Sequence, residues 1–151
     1  MRTIYRTIVS ALIFSKDGKL LMGMKDPAKG GVYSDCWHIP GGGIDEGEDE
    51  LVALQRELME EVGIDITGQK VILIDSSGSG QSEKTLAGGE KVICEMSFHV
   101  YRIDLNQSVD KIQVMLNDDL VRIEWIDLSD LLKYKLTPPS RKLFTKLRWL
   151  E

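Results

Sequence analysis

The sequence contains only two cysteines, Cys36 and Cys94, among 151 residues. Two thiols are too few for a disulfide framework, so a reduced protein with free thiols is the expectation. No apolar run approaches the length of a membrane span. The amino-terminal Met1-Arg2-Thr3-Ile4-Tyr5-Arg6-Thr7 interrupts its apolar residues with charge, unlike a signal peptide or targeting helix. A cytoplasmic location without a membrane partner is therefore expected. An excess of positive charge is also missing: 19 Lys and Arg stand against 24 Asp and Glu, a formal charge of −5. That balance argues against a broad basic face holding a nucleic-acid polymer. It leaves room for a small phosphorylated ligand, because a bound cation reverses the local field. Neither histidine has metal-site spacing: His38 reads as a surface or rim residue, and His99 lies in a strand without Cys or His companions. With no internal repeat and no linker, residues 1–151 read as a single domain.

What is present is ordinary globular material, 42% apolar and 28% charged. Residues 3 to 14, rich in Thr, Ile and Val, predict a strand. Lys16-Asp17-Gly18 predicts a hairpin turn into a second strand over 19 to 25. A loop is expected over 26 to 35, then a short strand from Cys36 to Ile39 entering the Gly41-Gly42-Gly43 turn. Residues 49 to 62 form the strongest helix, with Leu51, Leu54, Leu58 and Val62 at helical spacing and Gly63 as a stop. Val71 to Ile74 reads as a strand. Ser76 to Glu90, made of Gly, Ser, Lys and Gln, reads as a long mobile loop. Further strands are expected over 91 to 103 and 120 to 126, then two short helices from about Ser129 and about Pro139. Strands on both sides of a central helix imply an α/β protein with a mixed sheet covered on both faces.

Four features of residues 41 to 64 are poorly explained by packing. They are the triple glycine, Glu48 near the positive end of the helix dipole, the cluster Glu57, Glu60 and Glu61, and Arg56 beside it. At roughly 100° per residue, Glu60 and Glu61 flank Glu57 at about 60° and 40° on either side. These carboxylates border the apolar stripe, where like charges repel unless a cation collects them. Oxygen-rich clusters suit Mg²⁺ or Mn²⁺, which also engage substrate phosphates. Three glutamates alone are more often a solvated acidic face.

Taken together, Gly42, Glu48, Arg56, Glu57, Leu58, Glu60, Glu61, Gly63 and Ile64 fit G-x5-E-x7-R-E-U-x-E-E-x-G-U, with U a bulky aliphatic. A chance match to its seven fixed letters is on the order of one in a million at this composition. The segment resembles the Nudix box without substitution. The resemblance implies a Nudix-type α/β/α sandwich around a mixed β-sheet. It implies Glu57, Glu60, Glu61 and the Gly41 carbonyl as metal ligands, with Glu57 alternatively the base that activates water, and Arg56 and Glu60 counted with it as catalytic residues. Arg56 would hold the glutamates, and Glu48 would support the site. Mg²⁺ is the implied cofactor, with Mn²⁺ as the alternative. A further acid would close the metal site, and Asp119, six residues before Trp125, has the expected spacing. Asp118 is its close rival; Glu90 and Glu95 are the runners-up, with Glu124 in an exposed strand position.

The implied activity is metal-dependent hydrolysis of the diphosphate linkage of a nucleoside diphosphate derivative. ADP-ribose hydrolases of the family tend to carry a proline about sixteen residues past the box, and dinucleoside-polyphosphate hydrolases a tyrosine. Here that region holds Ser79, Gly80 and Gln81. The chain length and Trp37-x-Ile39-Pro40-Gly41-Gly42 look most like the MutT-type enzymes, which take a nucleoside triphosphate to monophosphate and pyrophosphate. A sugar nucleotide or dinucleoside polyphosphate is the alternative substrate, and a non-catalytic nucleotide-sensing or interaction domain the alternative class. Lys25, Trp37 and Gly42 are the candidate substrate-binding residues. A solvated role for Lys25, core packing for Trp37 and a plain basic face for Arg141 and Lys142 compete with substrate roles. The expected partner is a small nucleotide, bound by a monomer or homodimer.

Overall fold

The computed structural model describes residues 1–29, 33–116 and 120–150. The chain is organised by β1 (Arg2–Phe14), whose alternating side chains enter two cores. Val9, Ala11 and Ile13 face one cluster, Leu12 and Phe14 the other, so both faces of the sheet are covered. Such double burial suits the Val/Ile/Leu-rich second half of the strand.

β1 pairs antiparallel with β2 (Leu20–Lys25) through the expected hairpin, and in parallel with β6 (Lys91–Asp104) along its whole length. β2 pairs antiparallel with β3 (Trp37–His38) and β7 (Leu120–Ile126), and β6 with β5 (Val71–Thr85). β4 (Gly41–Gly43) adds to β1 opposite Ile8 to Ser10. The sheet is therefore mixed, as expected.

Helix α1 (Glu50–Val62) covers the first face, placing Ala53, Leu54, Leu58 and Val62 in the core. Asp49 caps its start by accepting the Leu51 amide at 2.9 Å. Gly63 ends it at φ 67°, a left-handed conformation that glycine adopts without steric cost. Helix α2 (Pro138–Lys146) covers the second face with a 3₁₀ segment, Leu128–Lys133, using Leu131, Leu143 and Phe144. No helix among the described residues is long and apolar enough to cross a membrane. Cys36 and Cys94 are both buried and free.

The structure corrects four sequence expectations. Ser76 to Glu90 is not a long loop: β5 continues to Thr85, paired with β6, leaving only a tight turn closed by Leu86 and Glu90. The pairing partner supplies the extended structure that Ser and Gly do not favour by themselves. The triple glycine is an extended strand rather than a free turn. The segment from Ser129 is a 3₁₀ helix. Leu51, expected on the buried stripe, is 48% exposed, because the first turn of α1 overhangs the core.

Candidate active site

The site forms where α1 lies against β4. Pairing turns the Gly42 backbone toward β1, so Gly41 and Gly43 direct their amides and carbonyls outward, toward the helix. Glu61, 7% exposed, accepts the Gly41 amide at 2.7 Å, and Arg56 Nη2 donates to the Gly43 carbonyl at 3.1 Å. Two helix side chains thereby satisfy one amide and one carbonyl on the outer edge of a three-residue strand. A Cβ on Gly42 would lie inside the Glu57 carboxylate, and one on Gly41 would collide with the Val9 carbonyl. Glycine is required at both positions by this closeness.

Arg56 is the hub. Its Nε and Nη2 each donate to Glu48 at 2.8 Å, a bidentate pair. Nη1 donates to Glu57 at 3.0 Å and reaches Glu60 at 3.3 Å, while Asp45 stands 3.5 Å from Nη2. The hydrogen bonds from Arg56 draw the Glu48 carboxyl down to about 2, and the carboxylates hold Arg56 still more firmly protonated. Glu57 moves the other way: burial pushes its carboxyl above its ordinary value despite Arg56. Glu60 is exposed at the outer rim.

Glu48, Arg56, Glu57, Glu60, Glu61, Gly41 and Gly42 are thus brought together as the sequence reading expected. Among the described residues no three acidic, His or Cys side chains converge into a ready-made metal cage, because Arg56 occupies the centre of the carboxylates. The donor set is nevertheless all oxygen, and the absence of a side chain at Gly42 lets the Glu57 carboxylate pack directly against the strand. Both features fit a hard divalent cation.

Other candidates fall elsewhere. Asp118 and Asp119 lie outside the described residues. Glu90 is bound to Arg2 at the far end of the β5–β6 hairpin, at 2.9 and 3.0 Å. Glu95 accepts from Gln81, and Glu124 accepts from the Tyr134 hydroxyl at 2.6 Å. Trp37 is 6% exposed and stands edge-on to Tyr134 at 5.6 Å, so its ring belongs to the core rather than to a ligand. Lys25 is exposed at the end of β2. His38 is no rim residue: its Nε2 is buried and has no hydrogen-bond partner among the described residues, and burial lowers its pKa. Sequence reasoning missed Glu50, whose Oε1 accepts from His99 Nδ1 at 2.5 Å and the Tyr101 hydroxyl at 2.9 Å. No sequence signal joins residues 49 to 51 positions apart.

The NUDIX domain model matches residues 4–147. The chain belongs to the Nudix family. It is similar to the nucleoside triphosphatase NudI of Escherichia fergusonii, 33% identical over 137 residues, covering 91% of this chain and 92% of that one. Similarity to NudI of Escherichia coli K12 has the same extent and identity. Among solved structures, the E. coli dihydroneopterin triphosphate pyrophosphohydrolase aligns with TM-score 0.67 at 18% identity, over 95% of this chain and 96% of that one. The NUDIX domain of Shewanella oneidensis NrtR, complexed with ADP ribose, aligns with TM-score 0.67 at 18% identity, over 96% and 87%. These structural neighbours show a shared α/β fold. The Nudix chain is a hydrolase, a pyrophosphohydrolase acting on phosphoric anhydride bonds.

Proposed function

We propose that this Nudix enzyme is a metal-dependent nucleoside triphosphate pyrophosphohydrolase, releasing a nucleoside monophosphate and pyrophosphate. The observation that carries the reading is the Arg56 network, which holds Glu48 and Glu57 beside the glycine strand. The 33% identity to proteins named nucleoside triphosphatase, over nearly the whole chain, supports the substrate class. Residues 1–151 are read as one domain of that activity.

Glu57, Glu60, Glu61 and the Gly41 carbonyl would hold Mg²⁺, with Mn²⁺ as a substitute, and Asp119 would complete the set. When bound, the cation supplies charge neutralisation for the diphosphate and a more acidic water. Glu57 is the candidate for taking the proton of the attacking water: it is a half-buried carboxylate held by Arg56, and burial raises it above its ordinary value. Arg56 bonds both Glu57 and Glu60 and so keeps their carboxylates on one side of the site. Lys25 and Gly42 remain candidates for contact with the substrate.

A screen of nucleoside triphosphates, sugar nucleotides and dinucleoside polyphosphates with Mg²⁺ and Mn²⁺, with product identification, tests the reading. The expected result is metal-dependent conversion of triphosphates to monophosphate and pyrophosphate. Turnover of a sugar nucleotide or dinucleoside polyphosphate about a hundredfold more efficiently, roughly 2.7 kcal/mol in the barrier, would overturn it. So would orthophosphate as the primary product.

A further inference from the structure

We propose that Val71, Ile72 and Leu73 of β5 pair antiparallel with the same three residues of a second copy of this chain. The two-fold axis passes through Ile72, and one sheet runs through both copies of the resulting homodimer.

The opportunity lies at the end of the sheet. In the order β3-β2-β1-β6-β5, β5 is the outer strand. It pairs with β6 along one edge, and among the described residues no backbone hydrogen bond reaches its other edge. An edge strand presents a row of free amides and carbonyls, which proteins guard with charge, proline or bulges. β5 is guarded unevenly. From Gly78 to Thr85 it carries small polar residues with Glu83 and Lys84. Between Leu73 and Gly78 its register against β6 slips twice, and such bulges bend an edge away from a partner. Lys146 crosses to Asp75 and Ser77 in the same stretch. Val71 to Leu73 has none of these devices: it is regularly paired with β6 and wholly apolar.

The side chains match the backbone. Ile72, Leu73 and Ile74 are all exposed, Leu73 by 51%. Val71 packs against the core under α1, so Leu73 stands on that same face and Ile72 on the opposite one. Leu73 lies opposite Tyr101, whose hydroxyl donates to Glu50 at 2.9 Å, so the first turn of α1 reaches over this stretch. That turn brings in Leu51, the exposed leucine that the core leaves out. Large apolar side chains therefore line both faces of one unguarded piece of edge.

A second copy is the occupant this piece fits. Antiparallel self-pairing keeps every residue on its own face only when the axis passes through a residue. With the axis at Ile72, Ile72 meets Ile72, Val71 meets Leu73, and Lys70 meets Ile74, so no charge opposes a like charge. An axis at Glu83 would instead set that carboxylate against its own copy. The contact is isologous, so each pair off the axis occurs twice. Its area falls at the low end for specific interfaces, which makes a dimer in exchange with monomer rather than an obligate pair. β4 and the carboxylates against it lie across β1 from β6 and β5, so pairing leaves both sites open.

Sedimentation velocity of the full chain between about 1 and 500 μM is expected to show the mass rising from monomer toward dimer. Ile72→Lys puts a charge on the axis and should keep the protein monomeric over that range. Leu51→Glu should weaken association about tenfold, so poor folding of Ile72→Lys does not decide the matter. Cysteine linking reads the register. In Ile72→Cys the thiols face each other across the axis at a Cα separation of about 4.5–5.5 Å, within disulfide reach. In Ile74→Cys they stand four residues out of register, roughly 13 Å along the strand. Oxidised glutathione should link the first variant into a covalent dimer and leave the second unlinked, with Cys36 and Cys94 buried in both. A wild-type mass that stays monomeric at about 500 μM, a dimer unaffected by either charged substitution, or equal linking of the two cysteine variants overturns the proposal.

Discussion

Helix α1 carries two polar clusters of opposite character. In its first turn, one carboxylate, Glu50, accepts from two donors, His99 and Tyr101. Burial and the Glu50 hydrogen bond push the Tyr101 hydroxyl up to about 12, and the bond from His99 lowers Glu50. Farther along, one cation, Arg56, faces four carboxylates, Asp45, Glu48, Glu57 and Glu60. The first cluster is complete within the protein and ties α1 to β6. The second remains strongly negative after its arginine has been shared. Like charges held together near a core are costly unless a further cation neutralises them. A locally closed network is a structural device; one left with unbalanced charge is fit for a ligand.

The sharpest test of that contrast removes one negative charge from the open cluster, at Glu60, or from Glu61, which is bound to the Gly41 amide beside it. Glu60→Gln and Glu61→Gln should each keep the fold and lose activity by about a hundredfold or more. Calorimetric Mg²⁺ titration should show weaker binding than wild type in both. Comparable kcat/KM at saturating Mg²⁺ would remove these residues from the metal site.

Next in size is Gly42→Ala, which puts a methyl group where the Glu57 carboxylate lies. The expected outcome is a tenfold or greater loss of kcat and a stability cost of about 1–3 kcal/mol from overpacking. Denaturant titration alongside kinetics separates the two, and unchanged values of both would show that Glu57 moves away freely.

A smaller effect should appear in the acid limb of stability, measured without added metal. Glu48 is depressed in the folded state, so its contribution is present above the ordinary carboxylate value of about 4.3. It is lost as pH falls toward about 2. Glu57, raised in the fold, acts in the opposite sense, weakening stability as pH climbs through its raised value. Glu48→Gln should therefore flatten the Tm-against-pH curve below about pH 5. A wild-type slope in that variant would detach Glu48 from the Arg56 network energetically.

Least affected should be the variant of the closed cluster. His99→Ala removes one of two donors to Glu50 and is expected to cost about 1 kcal/mol of stability. Its kcat/KM should stay within twofold of wild type. A hundredfold loss of activity would place the Glu50 cluster inside the catalytic apparatus and dissolve the distinction.

Most of the open cluster was legible in the order of residues, because one helix, the strand before it and the turn between them supply Gly41, Gly42, Glu48, Arg56, Glu57, Glu60 and Glu61 within 21 positions. Local spacing sets their relative placement once the helix forms. The closed cluster was not legible, since Glu50, His99 and Tyr101 meet only when β6 lies beside β1 under α1. Trp37 illustrates another limit: its chemistry suits stacking or packing equally, and burial beneath Tyr134 decided for packing. Gly78 and Gly80 misled in the same way, reading as loop residues although β6 draws them into a strand under Phe98.

By itself, the sequence determined the family, the helix with its Asp49 and Gly63 ends, and the identity of the carboxylates gathered around Arg56. These depend on covalent spacing and on the 3.6-residue turn of a helix. Tertiary structure alone decided how far β5 extends and which face Phe98 and Arg6 share. It also decided how many carboxylates converge on Arg56. Those outcomes depend on pairing between strands far apart in the chain, where register rather than spacing brings side chains together.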